Sequence, residues 1–214
     1  MIQPAFLVTL GLINAEGINL LGTGFFVASN KIATARHVIK GVQGDIVVIQ
    51  SGLSNFNEYQ DTTNNKVYCI NCKVIEDDPI KDLSILEVGV NLSGTMLSLS
   101  GFDNISIGDE VAVVGYPHCV EARRVLTLQR SFIGAKVLLS NSGVRFKNAI
   151  INIQSRPGQS GSPIISMRDG SVVGLLIGAY LNNFGGGIIV GNINPAELHQ
   201  TTHCISAEYI KDML

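Results

Sequence analysis

Short apolar runs separated by polar turn residues recur along the whole chain. Residues 6–10 (FLVTL), 24–27 (GFFV), 45–49 (DIVVI), 83–86 (LSIL), 111–114 (VAVV), 149–151 (AII) and 172–176 (VVGLL) are of this kind. Most are rich in β-branched or aromatic side chains and have Gly, Asn, Asp or Ser close by, the pattern of a β-strand bounded by turns. A helical period is nearly absent until the end. Many short strands without intervening helices predict barrels or a sandwich rather than βαβ units. Residues 91–109 are polar and turn-rich and suit a crossing between two halves. Two small barrels are therefore expected, over residues 1–98 and 99–214. At 194–197 (NPAE) an N-cap, a proline and a capping-box glutamate predict a terminal helix, and a second short helix is expected after Ser206.

Composition agrees with a large buried core. Hydrophobic residues make up 46% of the 214 residues and charged residues 15%, a balance that excludes disorder. The net charge of -2 leaves no electrostatic footprint for nucleic acid or an anionic membrane. The longest apolar run, 172–179, is about half of what a bilayer span requires. The opening stretch, MIQPAFLVTL, carries no positive residue before its apolar part. A cytoplasmic location is the expectation from it.

The four cysteines could ligate zinc with their histidine neighbours, since His118 precedes Cys119, His203 precedes Cys204, and Cys69 and Cys72 form a C-x-x-C. However, 67–74 (VYCINCKV) has the look of a strand, where positions three apart point to opposite faces. Plain reduced thiols are the better reading, so neither a metal nor a cofactor is expected.

The stretch 157–163 (PGQSGSP) is a tight turn by composition, but it could also present Ser160 as a nucleophile. A serine hydroxyl needs a base within reach, a carboxylate to orient that base, and N–H donors for the developing oxyanion. Of the four histidines, His118 falls in a turn and His199 and His203 in the helical tail, whereas His37 stands out, at the end of the second of two strands in 22–38 (GTGFFVASNKIATARHV). Two aspartates compete for the carboxylate role in 76–88 (EDDPIKDLSILEV). Asp78 precedes a proline and fits a solvated turn, whereas Asp82 opens a strand where an unpaired acid would be costly, so Asp82 is preferred.

In this order, and with these flanks, His37, Asp82 and Ser160 resemble the trypsin-like peptidases, most closely the HtrA/Deg branch. Residues 108–117 (GDEVAVVGYP) resemble that branch's GD-x-V-x-x-x-G-x-P strand, so the likeness runs over about 22–198. The resemblance implies an all-β double six-stranded antiparallel β-barrel with a short C-terminal helix, the triad lying between the barrels. It implies peptide-bond hydrolysis through an acyl-enzyme. His37 is then the general base, Asp82 its orienter, Ser160 the nucleophile, and the N–H groups of Gly158 and Ser160 the oxyanion hole. Substrate walls fall by alignment on Gln154, on Ile177, Gly178 and Ala179, and on Gly187.

There are departures from the pattern. Gln159 stands where secreted members carry an aspartate that pairs with a newly cut N-terminus, so no zymogen cleavage of that type is expected. Ile177 replaces a serine that often supports the triad carboxylate, so Asp82 must find its other hydrogen bonds elsewhere. No acidic residue occurs between Lys147 and Arg168, so cleavage after Arg or Lys is improbable. The expected partner is a specific intracellular protein or peptide cut after a small or neutral residue, while Arg156, if it enters the site, would favour an acidic one. A silent peptide-binding module of the same fold is the alternative.

Overall fold

The structure, a computed structural model, describes residues 3–64, 66–179 and 201–214. Among the described residues, twelve strands form two closed barrels of six. The first comprises β1 (Leu7–Asn14), β2 (Gly17–Ala28), β3 (Lys31–Ala35), β4 (Ile46–Gln50), β5 (Cys69–Asp78) and β6 (Leu83–Val88). Its strand order is β1-β2-β3-β6-β5-β4, closed by antiparallel pairing of β4 with β1. The second comprises β7 (Glu110–Gly115), β8 (Thr127–Asn141), β9 (Val144–Ile151), β10 (Pro163–Ser166), β11 (Val172–Ala179) and β12 (Thr202–Ser206). Its order is β10-β11-β12-β9-β8-β7, closed by β7 against β10.

Local chemistry sets the hairpins. Asn141 pairs with Val144 across Ser142 and Gly143, both at positive φ (50° and 81°). That geometry matches the right-handed twist of the flanking strands, and glycine adopts it without steric cost. Closure removes free strand edges, so near-continuous apolar runs such as β1 can be buried over most of their length.

The second barrel is filled by Val111, Val113, Ile133, Ala149, Ile151 and Leu176. A larger cluster takes in both faces of the first barrel's sheet, with Leu7 and Phe25 on one face and Phe26 and Leu86 on the other. It continues to Tyr116, Leu175 and Ile205 on the outer face of the second. Each fully buried side chain of this size contributes roughly 1.5–3 kcal/mol, so the barrels are held together by core and not by a rim contact alone.

Thr23 completes the junction. Its N–H donates to the Ser160 carbonyl (3.0 Å), its Oγ1 donates to the Gly158 carbonyl (2.8 Å), and the same Oγ1 accepts from the Tyr116 N–H (3.1 Å). A β2 residue of the first barrel thus grips the PGQSGSP turn of the second. The turn needs glycine at 161, where φ is 88° and a Cβ would lie 2.0 Å from the Thr23 carbonyl oxygen.

Helix is scarce, as the patterning predicts. One turn, α1 (Arg36–Ile39), follows β3, and another, α2 (Glu208–Lys211), follows β12 at the place expected after Ser206. The helix expected at 194–197 lies outside the described residues. Among the described residues no helix is long and apolar enough to cross a membrane.

Candidate active site

His37 sits in α1 and not on a strand end, because β3 stops at Ala35. The next amide, Arg36 N–H, leaves the ladder and donates to the Asp82 carbonyl (2.9 Å). Asp82 lies in the turn before β6 at φ 58°, a left-handed conformation uncommon outside glycine. That conformation lets its side chain turn back to α1. Oδ1 accepts the His37 backbone N–H (2.8 Å) and Oδ2 lies 2.5 Å from His37 Nδ1. One carboxylate therefore fixes both the backbone and the ring of His37, which leaves Nε2 as the nitrogen available to a substrate or a hydroxyl. The further hydrogen bond that Asp82 needs comes from the His37 amide itself.

Asp78, its competitor, is used up locally. Its Oδ1 accepts the N–H groups of Ile80 and Lys81, and its Oδ2 accepts Lys81 Nζ at 2.6 Å. Burial pushes its pKa upward, but the Lys81 hydrogen bonds outweigh this and hold the carboxyl below the usual range.

Ser160 is presented by the turn between β9 and β10. Gly161 N–H donates to the Leu176 carbonyl, and Leu176 N–H donates to the Ser162 carbonyl (2.8 Å each), which locks the turn to β11. Gly158 has φ 90°, and a Cβ there would meet the Tyr116 oxygen at 2.6 Å and Cys119 Sγ at 2.7 Å. Among the described residues, neither the Gly158 N–H nor the Ser160 N–H donates to a backbone acceptor outside helices and strands. Both donors of the expected oxyanion hole are thus uncommitted to the backbone of the described residues. The Ser160 hydroxyl donates to the Ile177 carbonyl at 3.0 Å, and among the described residues no hydrogen bond joins Ser160 to His37. Such contacts often tighten only when substrate arrives.

Gln159, next to Ser160, is fully buried. Its Oε1 accepts the Arg156 N–H (2.7 Å) and its Nε2 donates to Gln129 Oε1 on β8 (2.8 Å). A neutral side chain therefore ties the turn to the barrel wall at the position where an aspartate was noted to be usual.

His37, Asp82 and Ser160 line one cleft of about 540 Å³, together with Ile177 and Gly178. Gln154 does not line it; the adjacent Ser155 and Arg156 do. Ala179 ends β11, and Gly187 lies outside the described residues. Lys81, Leu139, Phe146, Asn148 and His203 also line the cleft and were missed in the sequence. Alternation along β9 could have flagged Phe146 and Asn148, which share a face. His203 lies on β12, not in a helical tail, and pairs there with Gly178 and Ile150. Burial pushes its pKa below the ordinary value. Asp82 is the only carboxylate among the described lining residues, against Lys81 and Arg156.

The cysteines do not gather. Cys69 and Cys72 lie on β5, Cys119 is buried under Gly158, and Cys204 is buried in the second barrel. Burial pushes the thiols of Cys72 and Cys119 up to about 12, and raises that of Cys204 as well. Among the described residues no cluster of three or more His, Cys, Asp or Glu is placed to hold a metal ion.

Comparison with known proteins agrees with this fold. The family described as a trypsin-like peptidase domain matches residues 22–175. The magnetosome formation protease MamE of Paramagnetospirillum magneticum is 27% identical over 188 residues, covering 81% of this chain and 24% of MamE. The chain thus spans about a quarter of that relative. Among solved structures, the active form of the Rv3671c protease from M. tuberculosis superposes with a TM-score of 0.71 at 21% identity, covering 99% of this chain and 80% of that one. The HtrA-type protease AlgW with a decapeptide gives 0.68 at 16% identity, covering 99% and 64%.

Proposed function

This chain belongs to the trypsin-like peptidase family, a serine peptidase related to the MamE and HtrA-type proteases, and from that premise we propose a mechanism for it. His37 Nε2 takes the proton of Ser160 Oγ as the oxygen attacks the scissile carbonyl. Asp82 holds the ring with Nδ1 protonated and stabilises the imidazolium that forms. The N–H groups of Gly158 and Ser160 receive the oxyanion. His37 then gives its proton to the leaving amine, and the C–N bond breaks to leave Ser160 acylated. Water, deprotonated by the same imidazole, attacks the ester and restores the serine.

The observation that carries this reading is the double use of Asp82, which fixes both the amide and the ring of His37. A structural carboxylate has no need to do so. The Ile177 carbonyl, which holds the Ser160 hydroxyl, lies on β11, the strand best placed to pair with an extended substrate. Gly178 leaves that strand open: a Cβ there would come 3.9 Å from Ser160 Oγ.

The substrate is a protein or peptide cut after a neutral residue or, because Arg156 and Lys81 line the cleft, an acidic one. Support for this comes from the lining, where the one described carboxylate, Asp82, is already engaged by His37 and so offers nothing to a substrate Arg or Lys. A fluorogenic peptide library tests both points. Turnover should vanish in Ser160→Ala and His37→Ala, and best turnover after Arg or Lys would overturn the specificity. No N-terminal trimming is required for activity, since Gln159 supports the turn without a new terminus.

A further inference from the structure

A second cavity, of about 690 Å³, lies away from the cleft. Its walls come from both barrels: Ile18 and Leu20 of β2, Asp61, Thr62, Asn64, Lys66 and Val67 of the β4–β5 connection, and Ala122, Arg123 and Arg124 of the β7–β8 connection. The two connections are clipped together. Gln60 Nε2 donates to the Leu126 carbonyl (2.8 Å), and Gln60 Oε1 accepts the Leu126 N–H (2.7 Å). Arg124 Nη1 adds a bond to the Gln50 carbonyl (3.0 Å). The cavity is therefore held by hydrogen bonds and is not a gap between loose loops.

Its charge runs against that of the chain. The whole sequence carries -2, yet Lys66, Arg123 and Arg124 line this cavity against a single described carboxylate, Asp61. Asp61 is occupied, since its Oδ1 accepts both the N–H and the hydroxyl of Thr63, and those bonds hold its pKa below the usual range. Beyond it, Glu121 leans to His118 Nδ1 at 3.3 Å. Nothing among the described bonds neutralises Lys66 or Arg123, and both are exposed.

Position relates the cavity to the nucleophile. Gly22 of β2 lies beside Ser160, where a Cβ would come 3.3 Å from the Ser160 carbonyl oxygen. From Gly22, β2 runs back to Leu20 and Ile18, roughly 13 Å at strand rise. On the other flank, Gly158 packs on Cys119, in the turn that leads to Arg123. Both paths start at the Ser160 turn, and no described residue lining the cleft around Ile177 and Gly178 lines this cavity.

We propose that this cavity binds acidic residues of the substrate on the leaving-group side, about three to five residues beyond the scissile bond at extended-chain spacing. The proposal rests on the peptidase reading above. It names the partner as an extended polypeptide with Asp or Glu in that segment.

The test measures binding and chemistry separately. Fluorescein-labelled peptides with the same neutral first half, and with glutamates, glutamines or lysines in the second, are titrated against the Ser160→Ala chain by fluorescence anisotropy. The glutamate peptide should bind about tenfold tighter than the glutamine peptide at low salt, with the advantage fading at high salt. Lys66→Glu with Arg123→Glu should reverse the order and favour the lysine peptide. Asp61→Asn should tighten the glutamate peptide about two- to threefold. Equal binding of all three peptides, or an acidic preference that survives the double charge reversal, would overturn the proposal. Fluorophosphonate labelling of the wild-type chain reports on Ser160 alone. Selective binding without labelling would sink the catalytic reading and leave this site standing; labelling with charge-blind binding would do the opposite.

Discussion

Replacing Gln159 by alanine should cripple turnover while leaving the fold in place. The substitution removes the acceptor of the Arg156 N–H and the donor to Gln129 Oε1, both inside a fully buried position. Losing the two bonds, one from the Arg156 N–H and one to Gln129, costs about 1–1.5 kcal/mol each. These bonds tie down residues 156–159, which include the Gly158 N–H, so most of the penalty is relieved if the turn relaxes away from its working shape. A loss of roughly 2–3 kcal/mol of preorganisation corresponds to roughly 30- to 150-fold in kcat. KM should move less, because β11 is untouched. The assay is steady-state hydrolysis of a fluorogenic peptide, alongside thermal melting of the same preparations. Gln129→Glu separates positioning from bulk stability, since its carboxylate still accepts from Gln159 Nε2 and should keep most of the activity. Gln129→Leu should not. Wild-type kcat in Gln159→Ala, or losses in the Gln129 pair that follow melting temperature and not hydrogen-bonding ability, would refute the reasoning.

Three further outcomes follow from the same geometry. Asp82→Asn should lower kcat by roughly three to four orders of magnitude, because an amide cannot stabilise the imidazolium and can favour the wrong tautomer; an effect under tenfold would remove Asp82 from the site. Gly158→Ala should lose activity through the clash with the Tyr116 carbonyl and Cys119, with fluorophosphonate labelling slowed in parallel; undiminished labelling would mean that the turn adapts freely. Time-resolved alkylation read by mass spectrometry should modify exposed Cys69 first. Half-buried Cys72 and buried Cys119 and Cys204, all with raised pKa values, should lag by orders of magnitude near neutral pH. Fast modification of Cys119 would contradict the packing beneath Gly158.

What was legible in the sequence was local. The strands announced themselves by short apolar runs. Ser160 and His37 were readable because the residues that aim them, Gly158, Gly161 and the β2–β3 hairpin, are neighbours in the chain. Choosing Asp82 over Asp78 needed only the proline after Asp78 and the strand after Asp82. How Asp82 works was not readable, since it depends on a left-handed backbone at that residue and on an amide that β3 releases. The same limit explains the errors. His37 was expected at a strand end, yet the bond from Arg36 N–H to the Asp82 carbonyl bends the chain into a helical turn. His203 was assigned to a helical tail because its place beside Gly178 is a matter of strand register between segments far apart in sequence. Gln159 could be recognised as a departure, but its partner Gln129, thirty residues earlier, emerges only when β8 folds against the turn.

The central claim is that Ser160 is a nucleophile activated by His37. Intact-mass measurement after incubation with a fluorophosphonate tests it most directly. One adduct should form and map to Ser160, with none in Ser160→Ala and a labelling rate at least a hundredfold lower in His37→Ala, on the order expected when a general base is lost. No adduct on the folded wild-type chain, or an adduct that persists in Ser160→Ala, would contradict the account.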